Sequence, residues 1–196
     1  LGYLGIAAHG HADALQVCLS IAGRPLLVDP GTYAYWCEKH WRDYFRGTAA
    51  HNTVRIAGQD QSLSGGRFMW TRKAGVHGVS VQRGTGGSVH LSAMHDGYSR
   101  LASRFSHQRT VAFWPESSTL QVDDSLAGRQ AELLELHWHI HPAWSARLEG
   151  RVLRLNDGRR AVAIEVNLVS GHVENERLDL VMGQSDPPLG WYPEAY

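Results

Sequence analysis

His9-Gly10-His11-Ala12-Asp13 places two imidazoles at i and i+2, just ahead of an apolar alternating stretch at 15–21. On an extended chain such a pair projects to one side. Neutral imidazole is a common zinc ligand, and a carboxylate often completes the set. Asp29 meets that need, because Leu26-Leu27-Val28 reads as an apolar strand that stops at Asp29-Pro30-Gly31. A carboxylate in that position either caps the turn or faces a cation. His51, in Ala49-Ala50-His51-Asn52-Thr53-Val54, stands at the mouth of another strand. Singly, a His at a strand end is most often a structural residue with a local partner. The three together, within residues 9–51, raise the case for a metal.

These side chains must be positioned by strands. Period-two patterning predicts strands at 15–21, 26–28, 53–56, 76–81, 89–94, 109–114, 118–122, 133–140, 143–148, 152–155, 161–168 and 178–182. Turn signals lie between them, among them Ala22-Gly23, Gly65-Gly66 and Asn156-Asp157-Gly158. The clearest hairpin runs from Val152 to Ile164 with Asp157-Gly158 at its tip. A helical turn is expected only near 38–44. The pattern predicts an all-β domain, two large antiparallel sheets packed as a sandwich, spanning 1–196 without a linker or repeat.

Composition narrows the function classes. Lys plus Arg and Asp plus Glu both total 19, so no net charge drives the chain toward nucleic acid or an anionic membrane surface. No apolar run approaches the length of a membrane span. Seven Trp and seven Tyr outnumber four Phe, a bias toward rings with a polar edge that suit sugar stacking as well as sandwich cores. Trp36, Trp41, Trp70 and Trp191 are the candidate platforms, counted as core or interdomain contacts unless exposed. Two Cys, Cys18 and Cys37, leave pairing open.

Several blocks occur in one order: His9-Gly-His-Ala-Asp-Ala-Leu15, Leu27-Val-Asp-Pro-Gly-Thr-Tyr33, Arg42-Asp-Tyr-Phe-Arg-Gly-Thr48 and Ala50-His-Asn-Thr-Val54. Together they closely resemble the C-terminal β-domain of the heparinase II/III-like polysaccharide lyases. Supporting matches are His95-Asp-Gly-Tyr-Ser-Arg-Leu101, His107-Gln-Arg-Thr-Val111 and Val122-Asp-Asp124. The resemblance implies a β-sandwich that follows an N-terminal α/α toroid in cis, with an acidic polysaccharide bound between the two. It implies a zinc, of structural role, on His11, Asp29 and His51, and a catalytic His9 at the cleft. It also implies a tyrosine near the site; Tyr33, Tyr35 and Tyr44 are candidates, and Tyr44, inside the Arg-Asp-Tyr-Phe-Arg block, is favoured. Arg42 and Arg46 flank it and suit uronate carboxylates, or pair with local acids. The toroid's catalytic positions are missing from this chain, and the segment from Gly190 resembles one that leads into a further strand. The isolated chain is therefore expected to be inactive, and the whole lyase to be periplasmic or secreted.

Competing patterns are weaker. His137, His139 and His141 share one strand face, read as a polar face before a second metal site. His90, His95 and His107 receive no role. A non-catalytic sugar-binding or scaffold module would use the same residues without bond cleavage. A cupin-type metal enzyme also starts from His-x-His, but residues 12–20 hold no Glu.

Overall fold

The computed structural model describes residues 5, 7–171 and 173–193. Its strands in chain order are β1 (Leu19–Ile21), β2 (Arg24–Leu27), β3 (Val54–Ile56), β4 (Leu63–Gly66) and β5 (Met69–Arg72). Then come β6 (Val76–Arg83), β7 (Val89–His95), β8 (Ser106–Trp114), β9 (Thr119–Ala127) and β10 (Leu134–Leu136). The last are β11 (Ser145–Glu149), β12 (Val152–Asn156), β13 (Ala161–Glu165), β14 (Gln184–Ser185) and β15 (Pro188–Leu189). One helix, α1 (Lys39–Arg46), lies where the helical turn was expected. The molecule is mostly β and every ladder is antiparallel, an all-β sandwich whose hydrogen bonding is divided among several small sheets. The largest is β6-β7-β8-β9, followed by β11-β12-β13.

Local chemistry explains the turns. Ala22 and Gly23 both take positive φ, 46° and 78°, which matches the right-handed twist of the β1–β2 hairpin. Between β12 and β13, Asp157 Oδ1 accepts the N–H groups of Arg159 and Arg160, and Gly158 supplies φ of 83°. Strand β9 alternates exposed and half-buried residues along its length, as its period-two pattern requires.

The expected strand at 133–140 behaves unusually. It begins as β10 against β3, pairing Leu136 with Val54. It then leaves β3 and runs beside β2, where Val28 N–H donates to His139 O at 3.0 Å and His141 N–H to Leu26 O at 2.9 Å. One segment thus stitches the strand ending at Asp29 to the strand beginning after His51. Two expectations are corrected. Residues 178–182 form no strand, because their alternating apolar side chains find no described neighbour to pair with and lie largely exposed. Gly65-Gly66, expected as a turn, instead ends β4 of a β4–β5 hairpin whose first arm, Leu63-Ser64-Gly65-Gly66, carries no alternation.

The main core packs Leu26, Leu27, Trp144 and Leu155 with Trp138, Ile140, Leu153 and Ile164, joining β1–β2 to β11–β13. A second cluster of Val54, Ile56, Tyr98 and Phe105 sits under β3. Burial on this scale, at about 25 cal/mol per Å² of apolar surface, fixes where the strand ends meet.

Candidate metal centre

The strand ends converge. His11, Asp29 and His51 each offer a ligand atom, and these atoms all lie within 4.8 Å of one another, the one such group among the described residues. Asp29 Oδ2 faces His51 Nδ1 at 3.6 Å, and the His11 and His51 rings stack at 5.1 Å. A tetrahedral zinc spaces its N and O ligands about 3.3 Å apart, so small adjustments close this set on an ion.

Asp29 serves both roles that its position allowed. Its Oδ1 accepts the Gly31 N–H at 2.6 Å, capping the turn, while Oδ2 turns toward His51 and accepts Gln16 Nε2–H at 2.8 Å. Burial alone would raise its pKa. The His51 imidazole beside it and the hydrogen bonds from Gln16 and Gly31 outweigh that and hold the carboxyl below the ordinary range. His51 is fully buried, and neither ring nitrogen has a hydrogen-bond partner among the described residues. Burial pushes its pKa down to about 3, so it is a neutral imidazole with an orphaned lone pair. A buried polar atom left bare costs roughly 1–3 kcal/mol. Two neutral imidazoles and one ionised carboxylate are the donor set that a zinc-like ion takes, so the residues fit the metal. His11 is half-buried, its pKa lowered chiefly by burial, and its Nε2 meets the Thr32 hydroxyl at 3.1 Å. It also borders a cavity of about 380 Å³ lined by Asp13, Gln61, Ser62 and Gly75, in which burial raises the Asp13 carboxyl to about 6.

Beneath the cluster lies support that the sequence reading missed. Asn52 is fully buried and donates to Val17 O at 2.9 Å and Val28 O at 3.0 Å, while its Oδ1 accepts the His139 N–H at 2.6 Å. Arg109 Nη1 donates to Leu15 O at 2.8 Å and Asn52 O at 2.6 Å, and its other nitrogens grip Asp124 at 2.7 and 2.8 Å. A buried chain continues from Asp124. Gly97 N–H donates to His95 Nδ1, so the His95 proton is on Nε2 and goes to His107 Nδ1 at 3.0 Å, and His107 Nε2–H donates to Asp124 at 2.6 Å. The sequence signals were a polar Asn between a His and an apolar strand and the blocks around His95, His107-Gln-Arg-Thr-Val111 and Val122-Asp-Asp124, which carried a resemblance but no role.

The other expected site residues fall into separate places. His9 is outside the metal group; it is exposed, and its Nδ1 meets the Tyr35 hydroxyl at 3.2 Å with the rings edge to face. The tyrosine brought to His9 is therefore Tyr35. Tyr44, the favoured residue, is buried with Phe45 and Ala50 against Trp41 and Trp191, and its hydroxyl lacks a partner among the described residues. Tyr33 stacks near Phe45. Arg42 and Arg46 sit on the buried face of α1, only 1% and 2% exposed, so neither reaches a carboxylate in solution directly. Arg46 Nη1 donates to Gly66 O at 3.0 Å and Arg67 O at 2.7 Å, both at the tip of the β4–β5 hairpin. Burial lowers both guanidinium pKa values.

His137 and His139 stack at 6.3 Å, but His139 Nε2 is committed to Ala49 O, and no second metal group forms among the described residues. Cys18 and Cys37 are free thiols. No described helix is long and apolar enough to cross a membrane. Neither the curated proteins nor the solved structures provide a match. A family model described as heparinase II/III-like, C-terminal, matches residues 1–191, and the chain belongs to that family.

Proposed function

We propose that this chain is the metal-binding β-sandwich half of a polysaccharide lyase that cleaves uronic-acid-containing chains by β-elimination. The observation that carries the reading is one juxtaposition. A His11–Asp29–His51 donor set, with His51 buried and the other two half-buried, begins two residues along the chain from an exposed His9 that is hydrogen-bonded to Tyr35. The ion favoured by two imidazoles and a carboxylate is zinc, and its contribution is to clamp three loop segments together.

The chemistry is a proton balance. At a 4-linked uronate the C5–H and C4–O4 bonds break, a C4=C5 double bond forms, and the departing O4 takes a proton. His9 accepts the C5 proton. Tyr35 gives its proton to O4 and regains one from His9 across their 3.2 Å contact. Neutralising the adjacent carboxylate lowers the barrier, because charge develops there in the enolate-like transition state. Arg42, 5.1 Å from the Tyr35 ring, supplies positive potential from beneath it, and Arg46 adds to that potential from under the hairpin tip, neither in direct contact with substrate.

The remainder of the cleft comes from an α/α toroid in cis, and the substrate places the whole enzyme in the periplasm or outside the cell. Nucleic acid and membrane are not partners in this reading. The test is the longer protein offered a panel of uronate polysaccharides, with product followed by unsaturated-uronate absorbance. Turnover that disappears in His9→Ala supports the proposal; equal turnover in that variant overturns it. Binding without any cleavage by the wild type would instead identify a sugar-binding module, the reading that the exposed Trp36 otherwise favours.

A further inference from the structure

Trp36 is 83% exposed, unlike Trp70, which is buried, and Trp41 and Trp191, which are half-buried. A free indole in water invites an explanation, and its surroundings are ordered toward His9. Phe68 meets Trp36 edge-on at 5.7 Å and Tyr35 at 5.9 Å, and Tyr35 meets His9 at 5.6 Å. The four rings form a continuous path that starts at the exposed imidazole. Arg67 lies over Trp36 at 5.4 Å, and its Nη1 donates to Tyr35 O at 2.6 Å.

The array is held from below. Arg67 and Phe68 are the tip of the β4–β5 hairpin, and Arg46 grips the Gly66 and Arg67 carbonyls. The Arg42 guanidinium lies 5.1 Å from the Tyr35 ring and 5.7 Å from the Phe68 ring. On each of these two buried arginines, two nitrogens have no hydrogen-bond partner among the described residues. Arg42 beneath the aromatic surface and Arg46 beneath the hairpin tip create positive potential there; Asp43 acts on both, but among the described residues neither forms an ion pair with an acid. Such a surface complements a ring that is apolar on its face and anionic at its edge.

We propose that Trp36, Phe68 and Arg67 form a binding subsite for an acidic pyranose of the substrate chain, one that extends from the His9–Tyr35 pair. The sugar's C–H face stacks on Trp36, and its carboxylate takes the Arg67 guanidinium. The inference rests on the lyase reading for the identity of the sugar, while the platform itself lies wholly within this chain.

The experiment titrates a uronate oligosaccharide, and a neutral one of equal length, into the chain by calorimetry. Trp36→Ala is expected to weaken uronate binding by about tenfold, and Trp36→Phe to retain most of it. Arg67→Gln is expected to remove the preference for the acidic over the neutral oligosaccharide. Wild-type affinity in Trp36→Ala, or an unchanged preference in Arg67→Gln, overturns the subsite. So does protection of Trp36 from oxidative labelling in the sugar-free longer protein, which would show the indole covered by another part of that protein. In the longer protein Trp36→Ala should raise KM and leave kcat near wild type. His9→Ala should abolish turnover while preserving binding, so loss of the lyase reading and loss of the subsite are separate results.

Discussion

Asn52 donates an amide hydrogen to the Val28 carbonyl at 3.0 Å, tying the residue after His51 to the residue before Asp29. Its second hydrogen holds Val17 and its oxygen holds His139, so one buried amide joins the segments that carry the candidate ligands. Replacing Asn52 with Ala leaves two carbonyls and one N–H bare. The expected outcome is a metal affinity lower by about 10–100-fold, read by competition with a chromogenic chelator. The change should exceed that caused by an exposed substitution such as Val79→Ala.

Metal content separates His9 from its neighbours. His11→Ala, Asp29→Ala and His51→Ala should each lose the ion, whereas His9→Ala should keep about one per chain by elemental analysis. Chelation of the wild type should lower Tm, since a ligand at a thousandfold excess over its Kd stabilises the fold by about 4 kcal/mol. Loss of metal in His9→Ala would move that residue into the coordination set.

Tyr35 and Tyr44 are separable by hydroxyl deletion. Tyr35→Phe in the longer protein should reduce kcat by about 10²–10⁴-fold. Tyr44→Phe removes a buried hydroxyl with no partner among the described residues, so activity and stability should change little. Reversed effects would return the catalytic role to Tyr44.

Acid should destabilise the fold above the carboxylate range. Burial holds His95 at about 3 and His137 at about 4, and both are neutral when folded. Unfolded, each titrates near 6.5, so below that pH the unfolded chain binds more protons. Their contribution is complete above about pH 6.5 and is lost as pH falls toward 4, at up to about 1.4 kcal/mol per group per pH unit. Asp13 works against this between about 4 and 6, where its raised pKa keeps a proton that the unfolded chain releases. His51 and His139, lowered by burial to about 3 and about 4, act in the same direction, while burial raises Asp60 as it does Asp13. With four such His against two Asp, melts between pH 4.5 and 7.5 should show Tm rising with pH; a flat or falling profile would contradict the buried neutral state.

Asp124→Asn strips the ionised partner from Arg109, which is 3% exposed. A stranded buried charge costs about 3–5 kcal/mol, so urea unfolding should shift by that order. The loss should also weaken metal binding, because Arg109 holds the Leu15 and Asn52 carbonyls beside the ligand loops.

The local elements were legible because they obey local rules. Alternation marked β7, β8, β9 and the β12–β13 hairpin, and Asp157-Gly158 marked its turn, since side-chain period and φ preference act over a few residues. The ligand trio was legible as residue types at strand ends, and Asp29-Pro30-Gly31 announced a turn whatever lay opposite. Sequence could not show that Asp29 divides its two oxygens between that turn and His51. Nor could it show that Tyr35 and not Tyr44 meets His9, or that Arg42 and Arg46 lie beneath a hairpin whose first arm, Leu63-Ser64-Gly65-Gly66, carries no pattern. Those facts depend on which segments are brought together by the strand that begins on β3 and crosses to β2, and by the buried Asn52 and Arg109 that bridge them. Such contacts join residues 24 to 94 positions apart. They follow from core packing and from satisfying buried polar groups, neither of which a local window records.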